Sequence, residues 1–589
     1  MLRFENLSSD VALDWMGRGF AEILSAELQG SPQRYAIQYR ALHSFDRQLG
    51  ARVPAAPGIS AERTGALVAG ANQIVYGDFS VVNGILRASA TQEDLGLHKM
   101  VVASAAGPVA GGIFPIAGEL ARQLGETRPF GTHNLDALRS FAAALESDEP
   151  AAQGFAQAAA ADPDFARAYL GRLDTAIAAR SRAAADQTVQ QAVLHRGRFP
   201  ALERAELDLD AAALAGDFHA QLEERRQLAR LDPADPNRHR ALAEALMSIR
   251  AFDEAIVEFR RTLSIRPDDV VALNVMGYAA AYSGDLPTAI RVLRGYEQLR
   301  PNDPNPLDSL GDVHFILGHF REAEQFYLAA NAKAPAFLNG GEVLKAAQAR
   351  LMNGDIAGAT GIFKRYLGAR EAVHDPNASY QRAAWSWQIG ARRAAIEDLS
   401  RLASALASAG AGEPPREMAS RADAQLAIWL LDVGDREAAA GHAAKAVAEA
   451  TPATVALAAM VTFLAQPEAF PAPAQQPLGD YARAYALLFA QQFQPAVKVL
   501  QDLYQRPTGE LDDGLAVLLA WAYQETGDWQ RAEPLLRLTP LPQGSGLPIF
   551  SSLYFPRIFS LRAMILDREG HHAEAARYRQ LFTTLAAMP

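Results

Sequence analysis

The chain has 589 residues, of which 49% are hydrophobic and 21% are charged, so it has the composition of a globular protein. It contains no cysteine, which excludes disulfides, zinc–thiolate sites, iron–sulfur clusters and thiol catalysis. Its formal net charge of -11 argues against nucleic-acid binding, which depends on clustered Lys and Arg. We therefore expect no nucleic-acid partner.

The first 126 residues alternate helical and strand patterns. The strongest local signal is Asn83-Gly84, a two-residue hairpin turn in which both positions need a positive φ. Strands are predicted at 35–38, 73–82, 85–92 and 98–104, and helices at 11–28, 60–69 and 113–124. A helix between strands, followed by an antiparallel meander, predicts a small α/β domain with one face of its sheet covered.

Two segments of this region carry a family resemblance. Residues 4–8, Phe-Glu-Asn-Leu-Ser, precede a helix, and residues 74–79 read Ile-Val-Tyr-Gly-Asp-Phe. Together they resemble the TolB amino-terminal-like domain over residues 1–126. The resemblance implies a relation to envelope lipoproteins, and to domains that lie between a membrane span and helical repeats in bacterial regulators and serine/threonine kinases. The family has an apolar strand before residue 4, so we expect either a shortened edge strand or a chain whose upstream part is missing.

Three blocks of 34 residues follow one another between 236 and 337 with the same residue types at the same offsets. Small residues recur where two helices would cross, and a large apolar residue follows each alanine by one helical turn. A proline then ends the second helix. The four columns are Leu242-Ala243, Met276-Gly277 and Leu310-Gly311; Ala255, Ala289 and Ala323; Phe259, Leu293 and Tyr327; and Pro267, Pro301 and Pro335.

These blocks resemble tetratricopeptide repeats, which are pairs of antiparallel helices. Weaker copies of the pattern precede and follow them, so the predicted fold class is mainly α, a tetratricopeptide-type helical solenoid preceded by a small α/β domain. We expect the α/β domain at 1–126, the solenoid at 127–465, a proline-rich linker at 466–477 and C-terminal helical repeats at 478–589. No apolar run reaches the ~20 residues that a membrane span needs.

No catalytic motif is recognisable in the sequence. The histidines lack metal-ligand spacing, and Gly410-Ala411-Gly412 lacks the strand and third glycine of a nucleotide-binding turn. Trp385 and Trp387 could form an aromatic box, but helix packing is the commoner role of such residues. Asp308 and Asp312 lie one helical turn apart and could form an acid/base pair, although an acidic binding surface is favoured. We expect a noncatalytic protein without a metal or a cofactor.

The first helix of each repeat pair lines the groove in this repeat type, and residues one turn apart on it point the same way. This spacing predicts an acidic and aromatic peptide-binding groove. We expect it to bind a basic extended segment, with a backbone hydrogen bond from Asn274 and charge pairing by the two aspartates. The alternative is an inner surface that packs against the chain itself. The groove residues are Asn237, Arg240 and Glu244 in the first block, Asn274, Tyr278 and Tyr282 in the second, and Asn305, Asp308, Asp312 and Phe315 in the third.

The function predicted from these features is a protein-interaction scaffold or adaptor that binds a protein or peptide partner. One alternative is the regulatory part of a larger signalling enzyme such as a serine/threonine kinase. The other is a periplasmic envelope assembly factor. The first residues lack the pattern of a signal peptide, which predicts a cytoplasmic protein, or a periplasmic one if upstream sequence is missing. The sequence does not indicate an oligomeric state.

Overall fold

The structure is a computed structural model that describes residues 1–29, 33–37, 39, 42, 59–125, 127–147, 151–408, 413–474, 478–507, 513–542 and 551–586. Residue contacts divide it into two compact units. The first unit comprises Met1–Ala245 and Val257–Pro267, and the second comprises Leu246–Ile256 and Asp268–Pro589. Residues 126 and 475–477, which belong to the predicted domain boundary and linker, lie outside the described residues.

The first unit begins with the predicted meander. Its sheet has the order β1-β2-β3-β4, in which β1 is parallel to β2 and the other pairs are antiparallel. Asn83 and Gly84 have φ values of 52° and 74°, which confirms the hairpin turn. The short β1 lies at the edge of the sheet, beside β2. The strands are β1 Glu5–Asn6, β2 Gln73–Val82, β3 Ile85–Asp94 and β4 Lys99–Pro108.

The strand predicted at 35–38 is wrong over residues 35–37, which form no strand; Gln38 lies outside the described residues. The apolar alternation there has another cause, because Ile37 packs against the small cluster of Leu2 and Ile74. The Tyr35 hydroxyl meets the Arg266 side chain at 3.1 Å instead of facing a neighbouring strand. Side-chain packing therefore produces the strand-like pattern without backbone pairing.

Helices lie on both faces of the sheet, so the prediction of one covered face is wrong. Helices α1 Trp15–Leu28 and α3 Phe114–Leu124 cover one face, and α2 Ile59–Val68 lies on the other. Phe20 projects from α1, and its ring centroid lies 5.4 Å from that of Phe4 and 5.7 Å from that of Phe79. Ile74 points to the opposite face, where α2 covers part of the sheet through Ala66.

Helical hairpins complete the first unit. Their apolar residues join the sheet residues in one buried cluster that extends to Leu207. The helices are α4 Leu135–Glu146, α5 Ala151–Ala161, α6 Ala166–Ala178, α7 Arg182–Val193, α8 Ala201–Ala215 and α9 Phe218–Leu231. The division between the units falls within the next pair, α10 Pro236–Ser248 and α11 Phe252–Ile265.

The second unit contains helices throughout its described residues, and no strand is found after Pro108 in the described part of the chain. This agrees with the predicted fold class, a tetratricopeptide-type helical solenoid preceded in sequence by a small α/β domain. The helices are α12 Val270–Tyr282, α13 Leu286–Leu299, α14 Asn305–Ile316, α15 Phe320–Lys333, α16 Gly341–Met352, α17 Ile356–Ala372, α18 Ala378–Gln388, α19 Arg392–Ser408, α20 Glu413–Asp432, α21 Arg436–Ala448, α22 Val455–Ala465, α23 Leu478–Phe489, α24 Phe493–Gln505, α25 Asp513–Glu525, α26 Trp529–Leu535, α27 Ser551–Arg568 and α28 His572–Ala586.

The repeat columns occupy the positions that the sequence predicts. All residues of the alanine column and of the large apolar column are fully buried. Each column proline follows the end of its helix, so α15 ends at Lys333 and Pro335 lies two residues beyond it. Between α12 and α13, Gly284 has φ +84° and the Asp285 carboxylate accepts a hydrogen bond from the Thr288 amide at 3.0 Å.

Two glycines let the helices of a pair approach closely. A Cβ atom on Gly277 would lie 2.7 Å from Cγ of Leu293, and one on Gly311 would lie 2.5 Å from the ring of Tyr327. Leu293 and Tyr327 are the large apolar residues of the same blocks. Two columns found independently in the sequence are therefore the two sides of one contact.

Later repeats pack in the same way. Trp385 stacks on Phe363 and Trp387 stacks on Trp429, each with 4.6 Å between ring centroids, so both tryptophans are helix-packing residues. The helices α22 and α23 contribute to one buried cluster although the proline-rich segment separates them in sequence. None of the described helices is long and apolar enough to cross a membrane.

Candidate functional site

Two of the four predicted groove residues of the third block lie in a buried ionic cluster. Asp308 and Asp312 project from α14, and each is only 4% exposed. Lys345 of α16 lies between them, with Nζ 2.8 Å from Oδ2 of Asp308 and 3.0 Å from Oδ1 of Asp312. A cation supplied by the chain itself therefore occupies the place predicted for a partner's basic side chain.

Two tyrosines complete the shell around Asp312. The hydroxyl of Tyr278 donates to Oδ2 at 2.7 Å, and that of Tyr327 donates to Oδ1 at 2.8 Å. Burial and then the charge of Asp312 raise the pKa of both tyrosines, which therefore stay protonated as donors. This arrangement fixes the Asp312 carboxylate on both sides.

The cluster holds more negative than positive groups. Burial and then the charge of Asp312 raise the pKa of Asp308 despite the contact with Lys345. Burial alone would lower the pKa of Lys345, but the two aspartates outweigh it and the pKa is raised. Glu342, one turn before Lys345, is 0% exposed, and burial raises its pKa as well. Three carboxyl groups thus surround one ammonium group.

Two polar groups near this cluster lack ordinary hydrogen bonds. Oδ1 of Asn274 and both carboxylate oxygens of Glu342 are buried without a partner among the described residues. The backbone N–H of Glu342, the charge of Lys345 and the Asn331 side chain oppose the rise in its pKa, but neither of the two hydrogen-bond donors reaches the geometry of an ordinary hydrogen bond. Unpaired buried oxygens cost ~1–3 kcal/mol each, so they mark places where a donor would be stabilised.

The remaining predicted residues of the second unit serve packing and local structure. Tyr282 stacks on Phe252 with 5.1 Å between ring centroids. Phe315 is buried against Phe320. The Asn305 amide donates to the Tyr296 hydroxyl at 3.3 Å.

The three predicted residues of the first block lie in the first unit. Asn237 is exposed, and its side-chain amide donates to Asp235 at 3.0 Å. Arg240 and Glu244 form an ion pair at 3.1 Å along one face of α10. This pair is partly open to solvent and holds no buried unpaired carboxylate oxygen, unlike the cluster in the second unit.

Three residues of the cluster, Lys345, Glu342 and Tyr327, are not among the groove residues that the sequence predicts. The sequence predicts Tyr327 only as a packing residue, in the column of large apolar residues. The spacing between Asp308 and Lys345 is 37 residues and that between Asp312 and Lys345 is 33, so neither matches the 34-residue period. The described residues hold no group of three or more His, Asp or Glu side chains that could bind a metal ion.

The fold defines the chain as a helical repeat protein of the tetratricopeptide type with a small α/β domain before the repeats. No family model and no curated protein matches it. Solved structures that align with it include MamA from Desulfovibrio magneticus RS-1, which is 17% identical over 30% of this chain and 97% of that one, with a TM-score of 0.26. A tetratricopeptide repeat protein from Parabacteroides merdae is 16% identical over 45% of this chain and 98% of that one, with a TM-score of 0.29.

YrrB, described as a tetratricopeptide repeat protein with an unusual peptide-binding site, also aligns with this chain. It is 18% identical over 29% of this chain and 90% of that one, with a TM-score of 0.25. The TM-scores of these three structures are too low for the similarity to support an argument about function. The assignment of the repeat rests on the buried columns and on the glycine contacts of Gly277 and Gly311.

Proposed function

We propose that the chain is a noncatalytic scaffold or adaptor that binds an extended segment of a protein through the first helices of the repeats in its second unit. The observation that carries this proposal is the buried, unpaired Oδ1 of Asn274. It lies one turn before Tyr278 on α12, where a backbone N–H of a bound segment would satisfy it. Extended segments offer such donors at regular intervals.

A basic segment fits the electrostatics of this surface. Three carboxyl groups at Asp308, Asp312 and Glu342 face the single ammonium group of Lys345. The remaining negative charge favours the approach of Lys or Arg side chains. Because Lys345 already fills the gap between the aspartates, the segment is held by Asn274 and the half-buried Tyr278, and charge serves its recruitment.

A peptide selection on the full-length chain tests this function. Peptides from a random displayed library are selected on the wild type and then measured on Asn274→Ala. The control is Asn302→Ala, the same substitution at an exposed residue. We expect Asn274→Ala to weaken binding about tenfold, which corresponds to ~1.4 kcal/mol, and Asn302→Ala to leave it unchanged.

The selected sequences test the charge requirement separately. Enrichment of Lys and Arg, with affinity that falls as salt rises, supports the basic segment. If the selected peptides are uncharged and their binding still depends on Asn274, the binding surface is supported and the preference for a basic segment is contradicted. Equal affinity of wild type and Asn274→Ala for every selected peptide would remove this surface from the account.

A further inference from the structure

The first unit contains an open cavity of about 560 Å³, a size typical of small-ligand sites. Helices α1, α4, α5, α6, α8 and α10 contribute to its walls, together with residues 35–37 and Arg266. Apolar side chains such as Phe155, Leu170 and Leu202 cover part of the lining. Side chains from distant parts of the unit thus enclose one space.

The charged lining of the cavity is acidic. Its six carboxylates face three guanidinium groups: Glu22, Asp174, Glu203, Glu206, Asp210 and Asp235 against Arg167, Arg238 and Arg266. Carboxylates of the lining already bind two of these arginines. Arg167 contacts Glu203 at 3.4 Å, and Arg238 is paired with Glu206. Negative charge is therefore left in excess.

Two of the carboxylates are incompletely neutralised. Glu203 is 5% exposed, and its Oε2 atom is buried without a hydrogen-bond partner among the described residues. Burial, and then repulsion from Glu206, raises the pKa of Asp210 to about 6, because the nearby Arg238 does not compensate for them. Both groups lie on α8 and line the cavity.

We propose that this cavity binds an organic cation, a guanidinium or ammonium group on an aliphatic stem. The cationic head lies between Glu203 and Asp210, where it supplies the missing donor and the missing charge. The stem packs on Leu202 and Phe155. Such a cation is either a free small molecule or the side chain of Arg or Lys in a protein partner.

Isothermal titration calorimetry on the full-length chain tests the site with three probes. Agmatine represents the free molecule, acetyl-Gly-Arg-Gly-amide represents a protein side chain, and butylurea is the neutral control. We expect one of the two cations, or both, to bind with a stoichiometry of one, and butylurea not to bind. Tighter binding of agmatine identifies a small molecule as the source, and tighter binding of the peptide identifies a side chain.

Variants locate the bound cation. Asp210→Asn keeps the shape of the side chain and should weaken binding at least tenfold. Asp186→Asn removes the same charge from an exposed ion pair with Arg182 outside the cavity and should bind as the wild type does. Asn237→Lys, at an exposed lining residue, should also weaken binding, because it adds a competing ammonium group without disturbing the core.

Two results would overturn the proposal. One is the absence of binding by either cation, and the other is equal affinity of Asp210→Asn and Asp186→Asn. Because none of these substitutions changes Asn274 or its neighbours, the outcome is independent of the peptide selection that tests the proposed function.

Discussion

The acidic cavity of the first unit and the acidic cluster of the second unit have similar chemistry, but the space beside the carboxylates is filled only in the cluster. Both hold more carboxyl groups than cations. In the cluster, Lys345 contacts Asp308 and Asp312, and the tyrosines close the remaining space. In the cavity, about 560 Å³ stays open beside Glu203 and Asp210. Acidic residues on repeat helices therefore leave room for the cationic group of a ligand only where the chain itself does not supply the cation, and at the cluster the remaining charge serves recruitment alone.

The two units also differ in how closely their helices pack. In the second unit, Gly277 and Gly311 let large side chains of the facing helix fill the space between two helices. In the first unit, the cavity walls come from α1, residues 35–37 and several repeat helices, which do not repeat one another's spacing. At these two helix pairs, regular repeats fill the space between the helices, whereas irregular neighbours in the first unit leave the cavity open.

The largest effect is expected from removing the internal cation of the cluster. Lys345→Met leaves two buried carboxylates without their counter-ion, which should reduce the free energy of unfolding by about 3–5 kcal/mol. Urea unfolding of the full-length chain measures this. The control is Lys364→Met at an exposed position of α17, where a change within about 0.5 kcal/mol is expected. Similar unfolding of both variants would show that Lys345 does not neutralise the pair.

A second test concerns the close packing of the repeats. Gly277→Ala places a methyl group 2.7 Å from Cγ of Leu293, and such overpacking should lower the free energy of unfolding by ~1–3 kcal/mol. The same substitution at Gly361, where a Cβ atom meets open space on a helix, should raise it by ~0.4–1 kcal/mol. Changes of the same sign in the two variants, measured by urea unfolding, would contradict the helix-crossing account.

Local patterns predict much of this fold because local chemistry determines it. Asn83-Gly84 determines the hairpin, and the glycine, alanine and proline columns determine the helix pairs. The ionic cluster was not predictable, because spacings of 37 and 33 residues place Lys345 outside the repeat register. The cavity was not predictable either, because residues as distant as Tyr35, Glu203 and Arg266 meet there without a shared period.

A stability effect smaller than those of Lys345→Met and Gly277→Ala is expected from the cavity carboxylate that faces Glu206 and Arg238. The raised pKa of Asp210, about 6 in the folded chain against ~3.9 unfolded, means that the folded state binds this proton more tightly. Its contribution to stability is therefore fully present below about pH 4 and is lost as the pH rises through 6. Asp210→Asn should be ~1–2 kcal/mol more stable than the wild type at pH 8 and equal to it at pH 4, after allowance for solvent screening.

Urea unfolding of Asp210→Asn at the two pH values measures this difference. Asp186→Asn controls for the loss of one negative charge elsewhere in the same unit. A difference between wild type and Asp210→Asn that does not change between pH 4 and pH 8 would contradict the assignment of an under-neutralised carboxylate to the cavity.

The cavity lacks the cation that Lys345 supplies to the cluster. Calorimetric titration of the full-length chain with agmatine and with acetyl-Gly-Arg-Gly-amide, on Asp210→Asn and on Asp308→Asn, distinguishes the two sites. The account predicts that Asp210→Asn weakens binding at least tenfold, whereas Asp308→Asn, in which Lys345 keeps its contact with Asp312, binds as the wild type does. Binding lost in Asp308→Asn and kept in Asp210→Asn would contradict the account and assign the cation site to the repeat cluster.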